Sequence, residues 1–123
     1  MDAEDLKKRT KQFSLQVIAA TEALPSTRTA TVIARQLLRS GTSVGANYRA
    51  ACRARSRPDF ISNVGIAVEE VDESLYWMEM LVEAQVLPRD RLAALMKEAE
   101  EILAILTASA KTARTHLKSR VSP

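Results

Sequence analysis

Pro25, Pro58 and Pro88 cut this chain into stretches within which apolar residues recur at steps of three and four. A proline lacks an N–H and its ring clashes with the preceding turn, so a helix stops near it or begins on it. The spacing is that of α-helices rather than of alternating strands. Leu6, Phe13, Val17, Ala20 and Leu24 share one face of the first stretch, with Asp2 and Asp5 placed to cap and charge its first turn. Ser26 is placed to cap a second helix in which Ile33, Leu37, Gly41, Val44, Tyr48 and Ala51 keep to one face. Ser56 and Asp59 have capping-box spacing around Pro58 and open a third. There Val64, Ala67, Val71, Leu75, Met78 and Val82 form the seam expected of packed antiparallel helices. Leu92, Leu95, Ala99, Ile102, Leu106, Ala110 and Ala113 carry a fourth to about Arg114. The spacing predicts helices over 3–24, 27–54, 58–86 and 89–114, with a basic, frayed tail over 115–123. Short turns between them give an all-α, antiparallel up-down-up-down four-helix bundle, a single domain over 1–123, with no internal repeat.

The 123 residues suffice for one core and not two, and 46% hydrophobic content excludes wholesale disorder. Aromatics are few, and small aliphatic residues let helix axes approach within about 8–10 Å. Cys52 is the single cysteine, which leaves no partner for a disulfide and no second thiol for zinc. The charged N-terminus lacks the apolar stretch of a secretory signal, and no apolar run nears the roughly 20 residues that span a bilayer. A cytoplasmic protein with no membrane partner is expected.

Catalytic chemistry finds little support. The only histidine, His116, lies in the predicted tail without a fixed partner. Glu69/Glu73 and Glu70/Glu73 have i,i+4 and i,i+3 spacing and could share a proton or a metal. Di-metal bundles, however, use Glu-x-x-His, so a solvated or salt-bridged acidic face is the better reading. Gly41 and Gly45 lack the lysine and the strand-to-helix context of a phosphate loop, and instead permit close helix packing. No catalytic residue, metal or cofactor is expected.

The charges are sorted along the chain. Ala23 to Pro58 has seven arginines and no acid, whereas Pro58 to Pro88 has seven acids and no Lys or Arg. An antiparallel third helix would neutralise part of the second; the remainder would offer a basic face to a polyanion. Arg49, Arg53 and Arg57 step by four along one ridge, and Lys111, Arg114, Lys118 and Arg120 add charge near the C-terminus. Leu38, Ile61, Ile66, Trp77, Leu81, Leu103 and Ile105 lie beside the apolar stripes, a surplus that favours a homo-oligomer over a monomer.

Gln36-Leu-Leu-Arg39-Ser-Gly-Thr-Ser43-Val44-Gly-Ala-Asn47 and Arg53-Ala-Arg-Ser56-Arg-Pro-Asp-Phe60-Ile61 carry a resemblance, continued by Glu70, Glu73, Tyr76 and Trp77. From about Lys7 to Thr112 the chain resembles the four-helix-bundle proteins encoded within intervening sequences of bacterial 23S rRNA genes. Relatives of that family include the accessory variability protein of diversity-generating retroelements. Two departures stand out: Gly45 replaces a usual proline, and Arg49-Ala50-Ala51 replaces Ala-Glu-Gly, a base for an acid. The resemblance implies a homopentamer without enzymatic activity, and relatives that bind a reverse transcriptase and nucleic acid through a basic surface. It also implies structural or inter-subunit polar roles for Arg39, Ser43, Asn47, Glu70 and Glu73, and makes Arg49, Arg53, Arg55 and Arg57 candidates for a nucleic-acid-binding rim. Two functions remain open at this stage: an oligomeric bundle that binds structured RNA or a nucleoprotein, and a self-assembling protein-protein adaptor with no polyanion site.

Overall fold

Local capping starts the first three helices where a side-chain oxygen can take the free N–H groups of the first turn. The structure, a computed structural model, describes residues 1–121, with the backbone alone over 118–121. It contains α1 (Ala3–Glu22), α2 (Arg28–Cys52), α3 (Arg57–Glu83) and α4 (Arg89–Val121). The Asp2 carboxylate accepts the Asp5 N–H at 2.9 Å, and Asp5 accepts the Asp2 N–H at 3.3 Å, a reciprocal capping box. The bond from the Asp5 N–H holds the Asp2 carboxyl below its ordinary range.

Thr27, not Ser26, caps α2. Its backbone is extended and its hydroxyl accepts the Ala30 N–H at 3.1 Å, whereas Ser26 sits in the bend that follows Pro25. Ser56 caps α3 by accepting the Asp59 N–H at 3.2 Å, with Pro58 in the first turn where no N–H is missed. α3 ends in a Schellman motif. Val86 N–H reaches the Leu81 carbonyl at 2.9 Å and Gln85 N–H reaches that of Val82 at 3.0 Å, which puts Gln85 at φ 61°, in the left-handed region.

The sequence reading stops the fourth helix too early. α4 continues past Arg114 to Val121, because buried Ala113 and half-buried Leu117 keep the apolar spacing going with no breaker between them. The predicted frayed tail is therefore helical as far as Val121, and residues 122–123 lie outside the described residues.

Each helix packs against its neighbours in chain order, α1 also meets α4, and no diagonal pair brings its backbones close among the described residues. This is the four-helix bundle read from the sequence, with α1–α4 as its thinnest seam. Phe13, Leu37, Val44, Val71, Met78, Ile102 and Leu106 are completely buried at its centre. The expected apolar surplus is smaller than the spacing implies. Leu81 is fully buried in the core, and Trp77, Leu103 and Ile105 pack half-buried against it, because the apolar sectors of α3 and α4 are wide enough to face two neighbours each. Leu38 and Ile66 do remain exposed. Among the described residues no helix is long and apolar enough to cross a membrane.

Two approaches fix the helix spacing. Ser40 on α2 and Ser74 on α3 are buried with their hydroxyl oxygens 3.0 Å apart, each also reaching a carbonyl of its own helix. On the other side of α2, Gly41 and Gly45 bring its backbone against α1, where Ser14 Oγ donates to the Gly41 carbonyl at 3.0 Å.

Candidate nucleic-acid interface

Among the described residues the segregated charges meet at only one place. Arg39 on α2 donates to Glu70 on α3 at 3.2 Å and also bonds Glu73. Both carboxylates raise the Arg39 pKa, Glu73 through its hydrogen bond first. Trp77 Nε1–H donates to Glu73 at 3.1 Å, and this bond, followed by Arg39, holds the Glu73 carboxyl below its ordinary range. The pair considered for a metal is thus occupied by a guanidinium, and Glu69 stands exposed beside it. Among the described residues no group of three or more His, Cys, Asp or Glu is placed to hold a metal ion. Ser43 and Asn47 bond within α2, to the carbonyls of Arg39 at 2.7 Å and Ser43 at 2.8 Å.

The remaining six arginines of the acid-free stretch form no ion pair among the described residues. Arg49 on the outer face of α2 and Arg53 at its C-cap stand about one turn apart, beside the glycine contact. Because α1 runs so close there, its own cations come alongside: Lys7, Lys8 and Lys11 form the opposite wall of an open groove of about 560 Å³. The floor is Thr42, Gly45 and Ala46, all small, so nothing on α2 stands between the two walls. Five cations therefore line the groove against a single carboxylate, Glu4, which pairs with Lys7. Ions concentrated in this way set up a local positive potential that the net charge of +3 conceals.

Arg55 and Arg57 do not line this groove. Arg55 is exposed in the α2–α3 turn, and Arg57 opens α3 half-buried with its Nε unpartnered. They add charge to the same end of the bundle, as do exposed Lys111 and Arg114 on α4; the side chains of Lys118 and Arg120 lie outside the described residues. The sequence reading missed the lysine wall because it followed one arginine-rich segment and did not set α1 against it. Gly41 and Gly45 were the available signal, since two glycines a turn apart mark where another helix comes closest. Arg9 was missed too: it reaches across the thin seam to α4, donating from Nε and Nη2 to Glu98 at 2.8 and 2.7 Å and to Glu101 at 3.1 Å.

The family model described as 23S rRNA-intervening sequence protein matches residues 4–108. The chain belongs to that family. The match takes in α1, α2, α3 and α4 as far as Ala108, so both walls of the groove lie within the 23S rRNA-intervening sequence protein region. A similar solved structure is the crystal structure at 1.70 Å of a protein of unknown function from the S23 ribosomal protein family of Bacteroides thetaiotaomicron. It is 32% identical, aligns over 90% of this chain and 99% of that one, and superposes with a TM-score of 0.84. No curated protein matches the chain.

Proposed function

We propose that this 23S rRNA-intervening sequence protein is a non-enzymatic bundle that binds RNA through its phosphates, seated in the α1–α2 groove. The observation that carries the reading is the convergence of Lys7, Lys8, Lys11, Arg49 and Arg53 on one groove with a single carboxylate among them. The family description, which ties these proteins to sequences within 23S rRNA, favours RNA as the polyanion. Binding of this kind works by counterion release: each phosphate neutralised frees condensed cations, so affinity falls steeply with salt and carries little sequence preference. Arginine adds a planar fork suited to phosphate oxygens, and lysine a mobile point charge.

Titrating the protein into a fluorescent structured RNA at several salt concentrations tests this by anisotropy. A steep fall of log affinity with log salt, abolished when Lys7, Lys11 and Arg49 are replaced by Glu, is the expected result. No binding at low salt would overturn the proposal.

A second reading, a self-assembling or adaptor protein, draws support from Leu15, Val32, Leu38, Ile66 and Tyr76, which keep large apolar side chains exposed. On that reading the same Glu substitutions would leave the assembly unchanged, whereas Leu38→Asp with Ile66→Asp would reduce its mass in light scattering.

A further inference from the structure

We infer that the α1–α2 groove is built for the backbone of a regular nucleic-acid double helix rather than for an unpaired strand, an inference that rests on the phosphate-binding reading above. Proteins that hold unpaired strands add aromatic side chains on which bases stack, and this gives much of their affinity. No aromatic residue among those described lines this groove: its walls are Lys and Arg stems with Leu15, and its floor is Thr42, Gly45 and Ala46. Phe13 and Tyr48 are buried, Phe60 is half-buried against the core, and exposed Tyr76 lies on α3, a helix that contributes nothing to the lining. The site offers charge to a sugar-phosphate ridge and no aromatic ring to a base.

The spacing of the charges agrees. Lys7 and Lys11 are one turn apart on α1, and Arg49 on α2 stands about a turn before Arg53 at its C-cap, so on each wall two cations spring from Cβ atoms roughly 5–6 Å apart. The close approach of Gly45 to Thr10 holds the backbones beneath the two walls at a fixed separation. Two cationic walls at a fixed separation suit a polyanion whose phosphates are already held in register, whereas a flexible strand would lose chain entropy to match them. A duplex turns its bases inward and presents only that ridge, and double-stranded RNA is recognised largely by shape and backbone.

Two fluorescent probes of equal phosphate number test the inference with the full chain: a blunt RNA duplex and a poly(uridine) strand, titrated at matched salt. The expected result is affinity for the duplex at least about tenfold the higher, abolished in the Lys11→Glu, Arg49→Glu double variant with its helical circular dichroism unchanged. Equal affinities, or tighter binding of poly(uridine), would overturn the duplex preference while leaving the groove as a phosphate site. Binding of neither probe would overturn the phosphate-binding reading itself. A duplex preference that survives in the folded double variant would place the binding elsewhere and overturn the inference.

Discussion

Gly45 of α2 lies so close to Thr10 of α1 that a Cβ on it would stand 3.3 Å from both the carbonyl carbon and the carbonyl oxygen of Thr10. One turn earlier, a Cβ on Gly41 would fall 2.7 and 2.8 Å from the two γ-methyl carbons of Val17. The neighbours differ, and so do the expected costs. Gly45→Ala gains about 1 kcal/mol of helix propensity against a slight parting of backbones, for a net change near zero. Gly41→Ala drives a methyl into a fully buried, rotamer-locked valine and is expected to lose about 1–3 kcal/mol in urea unfolding. Adding Val17→Ala should recover part of that loss, and strictly additive effects would show that the clash is not its origin.

Gln85 occupies the left-handed position that ends α3, where a side chain costs about 1 kcal/mol relative to glycine. Gln85→Gly should raise stability by roughly 0.5–1 kcal/mol and the melting temperature by about 2–5 °C. Gln85→Val, β-branched at the same φ, should lower both. A fall in melting temperature for the glycine variant would contradict this account of the turn.

The Glu73 carboxyl is held below its ordinary value of 4.5 in the folded chain, first by the Trp77 indole and then by Arg39. A depressed folded pKa contributes stability that is complete above the unfolded value and disappears as pH falls through the folded one. Acidification from about pH 6 to pH 3 should therefore weaken the bundle, and Trp77→Phe should lose less over the same interval than the wild type. Urea midpoints at each pH give the comparison. An identical pH slope in the two proteins would remove Glu73 from the acid response.

Arg9 is the forked clamp between α1 and α4, at the seam where these helices touch least. Its bond to Glu98, the main cause, raises its already high pKa, so it stays charged at any working pH. Arg9→Ala should cost about 1–2 kcal/mol and speed hydrogen exchange along α1 more than along α3. Arg9→Lys should restore only part of this, since one ammonium cannot reproduce two parallel bonds. Full rescue by lysine would mean that charge alone holds the seam.

Among the arginines predicted as a binding rim, position separates two groups. Arg49 and Arg53 line the groove, while Arg55 and Arg57 lie outside it. Reversing the charge of the first pair should lower RNA affinity and flatten the salt dependence by roughly one unit of slope for each phosphate no longer neutralised. Reversing Arg55 and Arg57 should weaken binding less. Equal effects of the two pairs would argue for a diffuse basic end rather than a groove.

The bundle was legible in the sequence because its determinants are local: prolines at the turns, oxygens at the caps and an apolar face at helical spacing. Val71, Met78, Ile102 and Leu106 could be assigned to the core from their neighbours in sequence alone. What could not be read depends on residues far apart in the chain. Lys7, Lys8 and Lys11 become part of one site with Arg49 and Arg53 only after two glycines bring the helices together. Arg9 finds Glu98 across almost the whole sequence. Leu81 looked surplus to a narrow seam, yet a helix between two neighbours buries a wider arc than one seam. The end of α4 was misplaced for the opposite reason: basic residues suggested fraying, while Leu117 kept the helix in register.

α4 has 33 residues against 20 in α1, and it runs on for further turns after Ile105 and Ser109, which share a cavity with Leu6 and Phe60 near the first turns of α1 and α3. At a rise of 1.5 Å per residue such a helix is about 50 Å long, well beyond the roughly 35 Å diameter of a compact sphere of this chain length. One helix, rather than the core, thus sets the long dimension of the particle. A chain of this shape tumbles anisotropically. Amide bonds parallel to the α4 axis should relax in solution as though they belonged to a larger protein than 13.6 kDa.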